Sequence, residues 1–208
     1  DSKLQNFGSL DFTAGKDITN KGMIVSNGDI KLTSGQNIIN EAQKTIWAAK
    51  KMVLDAMNQI LNKLGAAIES KEDMTLTASH LVNEAGNIKA GGNLTINADK
   101  IENKSKYTGN GYKKVNTVSL TETVKVHWTG YNKYEIIDIE IPIFEADLLV
   151  TDKATIQSGG SISIKGKTKE NSNIHNLAGL ISGKNDVLIK GDLINETKNV
   201  SMSVDEYL

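Results

Sequence analysis

Short apolar runs alternate with polar residues along most of this chain, and the alternation recurs at a fixed distance. Leu94, Ile96, Ala98 and Ile101 lead to Asn103, and Met74, Leu76, Ala78, Leu81 and Asn83 stand twenty residues earlier. Leu10, Phe12, Ala14, Ile18 and Asn20 relate in the same way to Ile30, Leu32, Ser34, Ile38 and Asn40. Looser copies run through Ile162, Ile164, Gly166, Ile174 and Asn176, and through Val187, Ile189, Gly191, Ile194 and Asn195. An apolar residue at every second position describes a strand with one buried face. One short strand cannot bury that face alone, whereas stacked copies share a continuous core. Twenty residues are too few for a helix-pair repeat. They suit one coil of a right-handed parallel β-helix built from two or three short strands, each coil rising by roughly 4.8 Å. The predicted fold class is therefore an all-β solenoid, with coils over 1–40, 71–103 and 151–200.

The recurring asparagine, at Asn20, Asn40, Asn83, Asn103 and Asn176, predicts a structural ladder stacked at one turn. Asparagine accepts turn geometry and bonds to the local backbone, and stacked amides bond along the stack. The tail, Ser201–Leu208, begins another coil or frays.

Two stretches break the repeat. In 43–69, Ile46, Ala49, Val53, Ala56, Ile60, Leu64 and Ala67 recur at steps of three and four, and Trp47, Leu54, Leu61 and Ile68 every seven. That pattern predicts an amphipathic helix inserted over 43–70, with Asn40 as N-cap and Gly65 as a C-terminal stop. Such a helix either covers the flank of the solenoid or offers its apolar face to a partner. In 104–150, Val118, Leu120, Val124, Val126 and Trp128 keep a period of two, as do Ile137, Ile139, Ile141 and Ile143. Thr129-Gly130-Tyr131-Asn132 between them is a turn signal, so a long inserted β-hairpin is predicted.

Composition narrows the function. The chain has 208 residues, a net charge of −1 and 24% charged residues, a balance unlike that of nucleic-acid proteins. All 24 basic residues are lysine. With no cysteine, disulfides and thiolate metal sites are excluded. No apolar run approaches the length of a membrane span. His80, His127 and His175 have no ligand-like spacing, and neither nucleophile-elbow, zinc-protease nor phosphate-loop motifs occur. Polysaccharide lyases and hydrolases built on β-helices need clustered acids, often with an arginine; here the acids are scattered and arginine is absent. No catalytic residue, cofactor or metal site is predicted, and the chain reads as a non-enzyme. Seven of the ten aromatics lie in the two interruptions. Aromatics carry much of the energy of binding surfaces, so Tyr131, Tyr134, Trp128, Tyr112 and Trp47 are the candidate partner-binding residues.

Ala14-Gly15-Lys16-Asp17-Ile18-Thr19-Asn20, Gly92–Ala98, the run Ala154–Ile164 and the run Asn173–Gly183 resemble the haemagglutinin repeats of filamentous-haemagglutinin-type exoproteins. In that family a Tyr- and Thr-rich excursion often precedes such a run, as Tyr107–Phe144 does here; 43–69 has no match in it. The resemblance implies an internal shaft segment of a long bacterial exoprotein, secreted to the cell surface through an outer-membrane partner. It implies adhesion to a host or neighbouring-cell receptor, protein or glycan, as an adhesin or toxin. The alternative it implies is the receptor-binding or spacer part of a contact-dependent inhibition filament. The chain starts just ahead of one repeat and stops after another, as a piece of a longer solenoid would.

Overall fold

The computed structural model describes residues 2–128 and 130–198, apart from the side chains of 110, 126–128 and 131–133. Ser201–Leu208 lie outside the described residues. The first coil comprises β1 (Lys3–Asn6), β2 (Leu10–Ala14) and β3 (Ile18–Asn20), and the second β4 (Met23–Ser26), β5 (Ile30–Ser34) and β6 (Asn37–Asn40). The third holds β7 (Thr45–Ala48), β8 (Met52–Ala56) and β9 (Gln59–Asn62). In the fourth and fifth, one long strand serves two faces: β10 (Ala67–Ser70) with β11 (Met74–Glu84), then β12 (Asn87–Ala90) with β13 (Leu94–Lys104). An antiparallel-type excursion of two long strands follows, β14 (Lys106–Trp128) and β15 (Tyr131–Asp152). The sixth coil is β16 (Thr155–Ser158), β17 (Ile162–Lys165) and β18 (Ser172–Leu177), and the seventh β19 (Leu180–Gly183), β20 (Val187–Ile189) and β21 (Gly191–Glu196).

Strands of successive coils pair in parallel, along β1-β4-β7-β10-β12-β16-β19 on one face and β2-β5-β8-β11-β13-β17-β20 on the next. The third face runs β3-β6-β9 through the second halves of β11 and β13 to β18 and β21. This is a parallel β-solenoid, and its core is a set of side-chain columns. Ile24, Ile46, Ile68, Ile88 and Ile156 stack on the first face. Leu32, Leu54, Leu76, Ile96 and Ile164 stack on the second, and Ile38, Ile60, Leu81, Ile101 and Ile174 on the third. These columns are buried almost without exception because each layer is roofed by the next. Burying one such side chain contributes about 1.5–3 kcal/mol.

No helix occupies 43–70. This stretch is the third coil and the start of the fourth, and the amphipathic-helix reading is corrected. Ile46 and Ala48, then Met52, Leu54 and Ala56, then Ile60, then Ile68 point inward. The step is two within each strand and four across each corner, and the steps of four imitate a helical spacing. Apolar residues on the outer side, Trp47, Val53 and Leu61, fill the remaining helical positions while only half-buried. The spacing also changes here: Ile30 pairs with Met52 and Met52 with Met74, twenty-two residues apart. Two residues separate Asn20 from β4, whereas four separate Asn40 from β7 and Asn62 from β10. In those wider corners Gln43 (φ 61°) and Gly65 (φ 66°) take the left-handed conformation that turns the chain, so Gly65 is a corner glycine, not a helix stop. At another corner a β-carbon on Gly159 would lie 2.1 Å from the Gly91 carbonyl oxygen of the coil beneath, which leaves room only for glycine.

Residues Thr108–Leu149 form a second compact unit, the two-stranded β14–β15 ribbon.

Candidate interaction surface

A two-stranded ribbon has one layer, so both its faces meet solvent unless something is laid on them. Side chains alternate between the faces along each strand. The Thr121 hydroxyl donates to Asp138 Oδ1 at 2.9 Å, which places those two residues on the same face. Within 118–124 and 137–143, the stretch around that bond, alternation assigns Val118, Leu120 and Val124 of β14 and Ile137, Ile139, Ile141 and Ile143 of β15 to the opposite face; farther along the ribbon the register shifts, since Tyr112 meets Phe144. Each of these seven aliphatics is between 40% and 45% exposed. Tyr134 and Ile136 share the Asp138 face and are more open still, at 63% and 72%. The ribbon therefore carries an aliphatic face and a face that mixes Tyr134 and Ile136 with Thr121, Asp138 and Glu140. Tyr112 meets Phe144 edge-on within this unit, ring centroids 6.1 Å apart at 74°. The side chains of Trp128 and Tyr131 lie outside the described residues.

Trp47, the remaining aromatic candidate, sits in the other unit. It is on the outer side of β7, between Val25 and Glu69 in the strand register, and half-buried. The Lys71 ammonium lies 5.6 Å from its ring centroid, a cation–π contact.

The asparagines meet at one corner of the solenoid. Each donates from Nδ2 to the Oδ1 of the next: Asn20 to Asn40 (2.8 Å), Asn40 to Asn62 (2.9 Å), Asn62 to Asn83 (2.9 Å) and Asn83 to Asn103 (2.8 Å). The chain continues from Asn103 to Asn176 and from Asn176 to Asn195, both at 2.7 Å. The same amides also donate to corner carbonyls, for example Asn62 to Ala66 O and Asn83 to Gly86 O, both at 3.0 Å. The arrangement holds the turn from coil to coil. Asn62 escapes a search at a spacing of twenty; its signal is the step of twenty-two from Asn40.

Two ionic arrangements are built on the solenoid, one along a single strand and one between coils. Glu102 Oε1 takes Lys100 at 2.8 Å and Lys104 at 3.1 Å, and its Oε2 lies 3.4 Å from His80 Nε2. Burial pushes the Glu102 carboxyl up, but bonds and charges from the two lysines outweigh it and bring it to about 2. Burial is also the main influence on His80, and it lowers that imidazole. Asp99 accepts backbone N–H bonds from Lys167 and Thr168 (both 2.8 Å) and Lys169 (3.2 Å), and the Thr168 hydroxyl at 2.6 Å. Burial opposes, yet these four bonds hold its carboxyl down to about 2. Both carboxyls titrate lower than in the unfolded chain. Their stabilisation is complete above the ordinary values of 4.5 and 3.8 and is lost as pH falls towards 2. We expect thermal stability to drop between pH 5 and pH 2, and Glu102→Gln to flatten that slope. An unchanged slope in the variant would contradict the assignment.

Among the described residues, no group of three or more His, Cys, Asp and Glu side chains is placed to hold a metal ion. No described helix is long and apolar enough to cross a membrane.

The described residues define the class of parallel β-solenoid repeat proteins, here with one two-stranded ribbon in the chain. The haemagglutinin repeat model matches residues 4–45, 42–125 and 145–201, and the chain belongs to the haemagglutinin repeat family. It is 31% identical over 214 residues to the filamentous hemagglutinin of Bordetella pertussis (strain Tohama I). That match covers 97% of this chain and 6% of the length of that relative. No solved structure matches the chain.

Proposed function

We propose that this chain is a shaft segment of a secreted bacterial surface adhesin and that its ribbon contacts the receptor. The solenoid supplies stiffness, since every coil is locked to its neighbours by backbone ladders and stacked aliphatics. The ribbon, read as an insertion over 104–150, supplies the exposed apolar and aromatic groups. The observation that carries the reading is the exposure of Tyr134 and Ile136 on a two-stranded ribbon. Large apolar and aromatic groups left open beside polar ones are what binding surfaces use. The match to a filamentous hemagglutinin supports adhesion as the role of the parent chain, and secretion through an outer-membrane partner is part of the same proposal.

The test is retention of labelled chain by animal cells and by bacteria. It is run beside a version with 104–150 replaced by a short loop and beside a Tyr134→Ala/Ile136→Ser variant. We expect retention by cells to be abolished in the first and weakened at least tenfold in the second, with β-rich circular dichroism unchanged. Equal retention by all three would make the stretch a spacer. Retention by bacteria alone would assign recognition to a neighbouring cell, as in a contact-dependent inhibition filament.

A further inference from the structure

We infer that the aliphatic face of the ribbon is a self-association surface, closed by the same face of a second copy of this chain. The inference is separate from receptor binding, which uses the Tyr134 and Ile136 face.

The seven aliphatics Val118, Leu120, Val124, Ile137, Ile139, Ile141 and Ile143 lie on one side of a ribbon only two strands wide. With roughly two fifths of each side chain open, the face presents on the order of 500 Å², at the upper range of patches that single proteins leave uncovered. Two such faces laid together remove on the order of 1,000 Å², where specific protein interfaces begin. β-branched side chains on both sheets interdigitate at the ordinary sheet-to-sheet spacing. A two-fold pairing also supplies the second layer that a lone two-stranded ribbon lacks.

The occupant is a protein face and not a bilayer, because of the charges on the same side. By the same alternation, Glu122 lies between Leu120 and Val124, and Glu135 beside Ile137. On a ribbon two strands wide, every side chain is next to an edge, so these carboxylates reach water in a paired sandwich. In hydrocarbon they would have no water at that edge, and charge on a lipid-facing strand is destabilising.

The absence of cysteine makes the test direct. Single-cysteine versions of the whole chain, Ile139→Cys on the aliphatic face and Thr123→Cys on the other, are oxidised at micromolar concentration. We expect a cross-linked species of twice 22.5 kDa from Ile139→Cys and not from Thr123→Cys. Sedimentation velocity of the unmodified chain should show concentration-dependent pairing, weakened at least tenfold by Leu120→Lys. Equal cross-linking at both positions, or a monomer at 100 µM, overturns the proposal. So does flotation of the chain with phosphatidylcholine–phosphatidylglycerol vesicles without pairing in solution. Circular dichroism of each variant separates lost pairing from lost fold.

Discussion

Asn62→Ala is expected to destabilise the third and fourth coils by about 3 kcal/mol. Asn62 is fully buried and serves four neighbours. It accepts from Asn40, and it donates to Asn83 Oδ1, to the Ala66 carbonyl and, at 3.3 Å, to the Asn87 carbonyl. Alanine leaves these partners without a replacement, because the corner is closed to water by the coils on either side. Asn40 keeps its bonds to the Lys44 and Ala67 carbonyls, so the loss stays short of a full collapse of the corner. A stacked solenoid couples each coil mainly to its neighbours. The loss should therefore appear as faster amide exchange from Thr45 to Ser70, with less change in the sixth coil, and as an earlier denaturant transition. Asn97→Ala is the control. Asn97 lies on the outer side of β13, its Oδ1 has no partner and its Nδ2 makes one long bond of 3.3 Å to Thr77. A change within about 0.5 kcal/mol is expected there. Equal effects at the two positions would remove the ladder from the account of stability.

Leu54→Ala is expected to cost about 4 kcal/mol, through the same pair of measurements. Leu54 is fully buried, between Leu32 below and Leu76 above. Removing it empties a whole layer of one column. The backbone ladders on both sides fix the coil spacing, so the neighbours cannot collapse into the space. The outward Val53, one residue away and half-buried, should tolerate alanine with a loss below about 1 kcal/mol. This contrast also separates the two readings of 43–70. A helix whose broad apolar face held both Val53 and Leu54 would make the two positions comparably costly.

The fold was legible where the period held. Columns such as Leu76 with Ile96 and Leu81 with Ile101 are twenty residues apart in sequence and adjacent in space, and alternation told which side of each strand was buried. It stopped being legible at Glu41–Lys44. Two additional corner residues shifted the period to twenty-two, and apolar groups on the outside blurred the alternation. Steps of four across strand corners then read as helix. A corner of different length changes nothing in the core, because the chain re-enters the same register on the far side, but it erases a fixed-distance search. Trp47 shows the same limit: its aromatic character is plain in the sequence, yet its contact with Lys71 arises from stacking one coil on another.

For the ribbon, the alternation along 118–124 and 137–143 was visible, and so was the turn signal between the strands. Which apolar run shares a side with which was not. That follows from one cross-strand bond, Thr121 to Asp138, which sets the pairing around it; the Tyr112–Phe144 contact shows that the pairing shifts farther along the ribbon. Asp99 and Glu102 are ordinary acids in the sequence. Asp99 acquires its character from the loop 167–169 of the next coil, whereas Glu102 is set by Lys100 and Lys104, its same-side neighbours on its own strand. By itself the sequence determined that this chain stacks coils into a parallel solenoid and carries a long alternating ribbon pattern over 104–150, because burial of alternating residues leaves a periodic mark. Only the tertiary structure decided the corner lengths, the membership of 43–70 in the stack and the partners of Asp99. Those depend on which coils lie side by side, and contact across coils leaves no period in the chain.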